Sequence, residues 1–221
     1  MKATLGLLET VGLTPAIAAI DAMEKAAKIR VVQMELNDIY GVCAKISGTV
    51  EAVHAAIDVG CKVAEQMGGQ PVARVIAKLG QSVDRAVFSP AEYNTLIDQE
   101  VVFIPANSSE ERKNDDVTQT KEDPYMSSDY PFALGLIETQ GFTAVFEAID
   151  TACKAANVEV IGKEKLGGGY VTVIIKGNLS AVTAAVTAGQ QNVEGLGKLI
   201  AAHVIARPSP SVMQLLPKTS C

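Results

Sequence analysis

The chain has no tryptophan, only 5% aromatic residues, two histidines and four cysteines in 221 residues. Each shortage narrows the field. So few aromatics favour tight packing between small side chains over a roomy aromatic-lined pocket, and Ala, Val, Ile and Gly are abundant. Cys43, Cys61, Cys153 and Cys221 show no CxxC or other ligand spacing, and His54 and His203 lie far apart. Neither a zinc site nor a disulfide framework is expected, and the thiols suit a reducing cytoplasm. Basic residues are short too. With 19 Lys+Arg against 25 Asp+Glu the net charge is −6, which argues against nucleic acid, since phosphate needs a basic face. No apolar run is long enough to span a membrane. The opening "MKATLGLLETVGLTPAIAAI" looks superficially like a secretion signal, but Glu9, Thr10 and Pro15 interrupt it. A near copy recurs in mid-chain, where no signal can sit, so the segment reads as structure.

What is present, above all, is a repeat. "LGLLETVGLTPAIAAIDAMEKAA" (5–27) lies over "LGLIETQGFTAVFEAIDTACKAA" (134–156) at a constant offset of 129. The match runs without a gap to "VIA" at 75–77 and 204–206, with about 29 of 73 aligned positions identical. A gapless match of that length marks a duplication. Between the copies, "NSSEERKNDDVTQTKEDPYMSSDY" (107–130) carries seven acids against three bases and few aliphatics, the composition of a linker. The domains are therefore 1–106, a first copy with a C-terminal extension, and 131–221, the second copy. Within the extension, "SPAEYNTLIDQ" has a Ser cap and a Pro at a helix start, and "EVVFIP" reads as a short edge strand.

Apolar spacing gives both copies the same order. A strand (3–9; 132–138) leads to a helix (14–28; 143–157), then two β-branched runs (30–36 and 41–47; 159–165 and 170–176). A second helix (49–66; 178–196) and a last strand (70–77; 199–206) follow. The order β-α-β-β-α-β is a split βαβ, ferredoxin-like layer, so the class is α+β with an antiparallel sheet and helices in each copy. "KEKLGGGYVTVII" (163–175) places three glycines in the central hairpin. A phosphate cradle would lie between strand and helix, and these glycines join two strands. "EGLGKLI" (194–200) has Leu199 where a magnesium-binding hydroxyl is required, so no nucleotide site is expected. A plain hairpin turn accounts for one or two glycines more readily than for three.

"ALGLIETQGFTAVFEAIDTACKAANVEVIGKEKLGGGYVTVIIKGNLSAVTAAVTAG" followed by "AAHVIARPSPSVMQLLP" resembles the shell-protein domain of bacterial microcompartments, over essentially all of 132–217. Residues 3–78 match more loosely. G-L-[IL]-E-T, D-x-x-x-K-A-A, the Gly-rich loop and V-I-A-R-P are specific in combination. Two unpermuted domains in tandem resemble the trimeric class, in which three chains build a pseudo-hexagonal tile. The resemblance implies a structural protein, not an enzyme. It further implies a homotrimer with lateral contacts to other shell proteins, located in the compartment shell, with a pore for small metabolites or cofactors. The pore wall would alternate between Leu166, Gly167, Gly168 and Gly169 and the first-copy loop Asn37, Asp38, Ile39 and Tyr40. Three Asp38 carboxylates on one axis would favour cations. Lys25 and Lys154, with Lys78 and Arg207 after the last strands, would lie at the tile edge. Some tandem shell proteins hold an iron–sulfur cluster by a cysteine in the first-copy loop. Asp38 stands at that place here, so no cluster, metal or cofactor is expected. His203 is expected in interface or core polar packing and His54 in solvent.

Two rival readings remain. A duplicated ferredoxin-like regulatory protein would bind a ligand at domain seams and would not tile. An enzyme would need a nucleophile–base or acid–base pair, and the copies share only Glu9 and Glu138, one acid each.

Overall fold

The duplicated pattern folds as a duplicated layer. The computed structural model describes residues 4–37, 41–78, 87 and 132–217. The first copy runs β1 (Thr4–Val11), α1 (Leu13–Ala26), β2 (Arg30–Leu36), β3 (Gly41–Gly48), α2 (Val50–Gln66) and β4 (Val72–Ile76). The second runs β5 (Ala133–Gln140), α3 (Phe142–Ala155), β6 (Glu159–Gly167), β7 (Tyr170–Gly177), α4 (Leu179–Gln191) and β8 (Lys198–Ile205), and ends in a short α5 (Pro210–Leu215). Both sheets are antiparallel, in the orders β2-β3-β1-β4 and β6-β7-β5-β8. The β-α-β-β-α-β expectation therefore holds in both copies. The helix expected over 178–196 stops at Gln191, where Asn192 leaves the helical conformation as the C-cap, and Gly195 beyond it takes a φ of 83°. Helix α5 was not anticipated; Pro210 opens it at N1, where a missing N–H costs nothing. The helix and edge strand expected within 78–106 and the linker at 107–130 lie outside the described residues, Lys78 and Val87 excepted.

Alternation along the strands decides which face each helix pair covers. In the second copy Ile137, Val171, Val173 and Ile175 meet α3 and α4 in one apolar cluster. Helix and sheet approach closely there: a Cβ on Gly135 would come within 2.6 Å of Val186 Cγ2 and 2.8 Å of Ile175 Cγ1. Gly6 occupies the same position against Ile46 and Val53. The residues between, Leu134, Leu136 and Ile174, face the other way and belong to a second cluster that also contains Leu8, Ile17, Ile20 and Met23 of the first copy. One apolar core thus crosses from one domain to the other.

Helix α1 lies in that crossing. Ten of its residues are buried, from Leu13 through Asp21 and Met23, whereas α3 buries only Ala144, Val145, Ala148 and Ala152. The same sequence pattern makes a helix covered all round in one copy and a half-exposed amphipathic helix in the other. Helix α1 touches β5, β8 and α5 of the second domain.

Gly135→Ala forces a methyl into a full contact layer, and the cost expected of overpacking is about 1–3 kcal/mol. The urea midpoint should fall by the corresponding amount; an unchanged midpoint would show that Val186 and Ile175 move aside freely.

Candidate functional site

Three places carry the features that sequence singled out: the central hairpins, the C-terminal turns of the first helices, and the seam between the domains.

In the second hairpin β6 ends at Gly167 and β7 begins at Tyr170, so Gly168 and Gly169 form a two-residue turn. Their φ values of 56° and 82° are those of a type I′ turn, which requires positive φ at both central residues. Gly167, at φ 89°, sits where the β6–β7 register slips, as at a bulge. Turn and bulge together account for all three glycines, which a turn alone did not. The loop is tied to the end of β5, where Gln140 Nε2 donates to the Gly168 carbonyl at 3.0 Å and Gly141 N–H to the Gly169 carbonyl at 2.9 Å. Gly167 to Gly169 are exposed, while Leu166 is 4% exposed and packs in the shared core. Leu166 therefore belongs beneath the loop and not on its surface, because the pleat turns it inward.

Of the first-copy loop, Asn37 is described, and Asp38, Ile39 and Tyr40 lie outside the described residues. Asn37 is a strap: its Oδ1 accepts from Gly41 N–H at 2.8 Å and its Nδ2 donates to Glu9 Oε1 at 3.1 Å.

Lys25 and Lys154 occupy the last turn of α1 and α3 and pair with the aspartate one turn back. Lys25 reaches Asp21 and Lys154 reaches Asp150, each at 2.5 Å. Cations there also complement the helix dipole. The hydrogen bond to Asp150 raises the Lys154 pKa above its ordinary value. Lys78 and Arg207 follow β4 and β8 at equivalent, exposed positions.

The seam is where sequence reasoning fell short. Glu138, 0% exposed, reaches from β5 to the first turn of α1. Its Oε1 accepts from Leu13 N–H at 2.9 Å and its Oε2 from Thr14 N–H at 2.8 Å. Helix α1 needs this because Gly12, its N-cap, has no side chain to satisfy the orphan donors. The approach is close: a Cβ on Gly12 would lie 3.0 Å from Glu138 Oε2. Burial pushes the Glu138 pKa above its usual range, while the two backbone N–H groups pull it down. Its neighbour Thr139 braces the turn after its own strand by donating to the Gly141 carbonyl at 3.0 Å, and Thr10 does the same to Gly12 at 3.2 Å. In the second-copy motif E-T-x-G (138–141) the acid thus serves a neighbouring helix, and in both copies the threonine and glycine serve the local turn.

Two more acids of α1 return the contact. Asp21 Oδ1 accepts from Ser209 N–H at 2.9 Å, and Glu24 accepts from the Ser211 N–H and hydroxyl at the start of α5. His203 lies within reach of the charges on Asp21 and Lys25, and burial lowers its pKa, in keeping with interface packing. His54 is exposed on α2. The recurrence of Glu9 and Glu138 was the only sequence signal for this seam, and one acid per copy makes no acid–base pair.

Cys43, Cys61 and Cys153 are free thiols, each with its pKa raised first by burial. Among the described residues no three His, Cys, Asp or Glu side chains come together as a metal site. No described helix is long and apolar enough to cross a membrane.

The family model described as "BMC domain" matches residues 4–78 and 133–208. The carboxysome shell protein CsoS1B of Hydrogenovibrio crunogenus is 49% identical over 92 residues, 41% of this chain and 95% of its own length. The bacterial microcompartment shell protein PduA of Salmonella typhimurium is 49% identical over 86 residues, 39% of this chain and 92% of its own. Each relative is thus about as long as one of the two copies. A crystal structure of a microcompartments protein from Desulfitobacterium hafniense DCB aligns over 97% of this chain and 99% of its own, at 21% identity and a TM-score of 0.36.

Glu138→Ala leaves two buried N–H groups without acceptors and removes two charge-assisted bonds. A loss of about 3 kcal/mol is expected in urea unfolding; a loss below about 1 kcal/mol would mean that water replaces the carboxylate.

Proposed function

The chain belongs to the BMC-domain family and is a structural protein of a microcompartment shell, and on that premise we propose that it works as a ring of three copies, a pseudo-hexagonal tile with a pore on its axis. The observation that carries this reading is the mismatch between the two copies. Leu13 and Ile17 of α1 are 3% and 1% exposed, whereas their counterparts Phe142 and Phe146 of α3 are 43% and 49% exposed. On the facing surface Ala201 of β8 is 7% exposed and its counterpart Val72 of β4 is 67% exposed. One interface is satisfied within the chain. Its two complementary halves remain open, one on each domain, which is the arrangement that closes into a ring by head-to-tail contacts. Three chains supply six similar domains, so the ring is nearly sixfold.

On the axis of such a ring the exposed amides of Gly167 to Gly169 alternate with the Asn37–Tyr40 loop. Three Asp38 carboxylates there favour cations over anions among the small metabolites or cofactors that pass. Lys25, Lys154, Lys78 and Arg207 lie at the tile edge and meet other shell proteins, their stems lying along the seam. A regulatory protein would keep room for a ligand at the domain seam. Here the seam is filled by Leu13, Thr14, Ile17, Leu134, Leu136 and Glu138, all 3% exposed or less.

Negative-stain microscopy at rising concentration tests the tile: six-sided particles should join into sheets, strips or tubes. Lys25→Ala with Lys154→Ala should keep the particle and lose the sheet. Compact particles that never meet edge to edge would overturn the tile.

Asp38→Asn should leave assembly intact and reduce the preference for a cationic over an anionic dye of equal size entering assembled shells. An unchanged ratio would sink the charge argument.

A further inference from the structure

We infer that the Glu9 carboxylate of one copy seats on the first turn of α3 of the next, accepting the Phe142 and Thr143 N–H groups in trans as Glu138 accepts those of Leu13 and Thr14 within the chain. The inference rests on the ring reading and adds the contact that locks it.

The donor side is an unfilled duplicate of a filled site. Gly141, like Gly12, is an N-cap glycine with positive φ and no side-chain cap. Among the described residues no acceptor is seated on the Phe142 and Thr143 N–H groups. Where a Cβ on Gly12 would meet Glu138 Oε2 at 3.0 Å, the nearest atom to a Cβ on Gly141 is the Leu196 carbonyl at 3.8 Å, so the carboxylate's seat is empty. The surroundings invite an anion. Lys163 Nζ stands 5.6 Å from the Phe142 ring and 5.3 Å from that of Phe146, adding a full positive charge to the positive end of the helix.

The acceptor side matches. Glu9 lies at the equivalent point of β1, opposite Val72 in register, as Glu138 lies opposite Ala201. It is exposed, and its carboxylate accepts from Asn37 Nδ2 at Oε1, which holds it at the strand end. The exposed Val72 then falls beside the Phe142–Phe146 pair, whose ring centroids are 6.0 Å apart. An apolar contact and a carboxylate cap thus arrive together, as they do at the internal seam. Asn37 sits in the loop assigned to the pore, so the strap couples the pore loop to the ring contact.

The test uses the full chain in sedimentation equilibrium with hydrogen exchange read by mass spectrometry. Wild type should be a trimer, and Glu9→Ala should weaken trimer association at least tenfold while circular dichroism stays unchanged. At concentrations where Glu9→Ala is still trimeric, the peptide holding Phe142 and Thr143 should exchange faster than in wild type, and that holding Leu13 and Thr14 should not. Trimer affinity within twofold of wild type, or unchanged exchange at Phe142–Thr143, overturns the contact. Val72→Arg separates the two readings. If it gives folded monomers while Glu9→Ala remains a full trimer, the ring stands and the carboxylate contact falls; a wild type that never trimerises sinks the ring itself.

Discussion

A four-stranded sheet with two helices on one face has a second face to cover, and this chain covers that of its second sheet with the first helix of its own duplicate. Leu134, Leu136 and Ile174 point away from α3 and α4 and into the same cluster as Leu8, Ile17 and Met23. Everything else about the seam follows from that burial. Helix α1 must be apolar on nearly every side, which its Leu13–Ile20 run provides, and its N-terminus must find an acceptor away from water. Unpaired buried N–H groups would cancel a good part of what the apolar contacts contribute.

The acceptor is a carboxylate, which is costly to bury alone. Two N–H groups and the positive end of a helix offset that cost, and the raised pKa of Glu138 shows that burial still dominates. Asp21 and Glu24 repeat the device in the other direction on α5. Polar contacts at the seam are thus reciprocal: acids from each domain cap a helix of the other. Such contacts demand direction as well as proximity, so they fix the rotation between domains where leucine packing alone would permit slippage. A fixed rotation is what a closed ring requires.

Most of the architecture was legible from the residues. The offset of 129 exposed the duplication, and periodicities of two and of three to four placed the strands and helices to within a few residues. Positions whose role lies between domains were not legible. Glu9 and Glu138 sit in the same motif, yet one is exposed and the other wholly buried, and no local pattern separates them. Helix α5 was missed because six residues are too few to show a period. The three glycines of the second hairpin were legible as special and their cause was not: a type I′ turn and a bulge require them, whatever else the loop does.

Backbone geometry already fixes glycine at 167, 168 and 169 in the second copy, so close approach at a ring axis comes without further change to the sequence. The first copy has Asp38, Ile39 and Tyr40 at those positions, and Asn37, the counterpart of Leu166, straps the loop to Glu9 and Gly41. In a ring of six identical domains one loop would have to combine a lean backbone wall with charge and with bracing of the neighbouring contact. In the proposed ring, duplication divides these between two loops, one of glycines and one carrying side chains. The same division separates the internal interface from the one proposed between chains. Sealed permanently within the chain, the first holds the domains in register. The second, built from the same motif, is left open in the single chain and is the contact that closes the proposed ring.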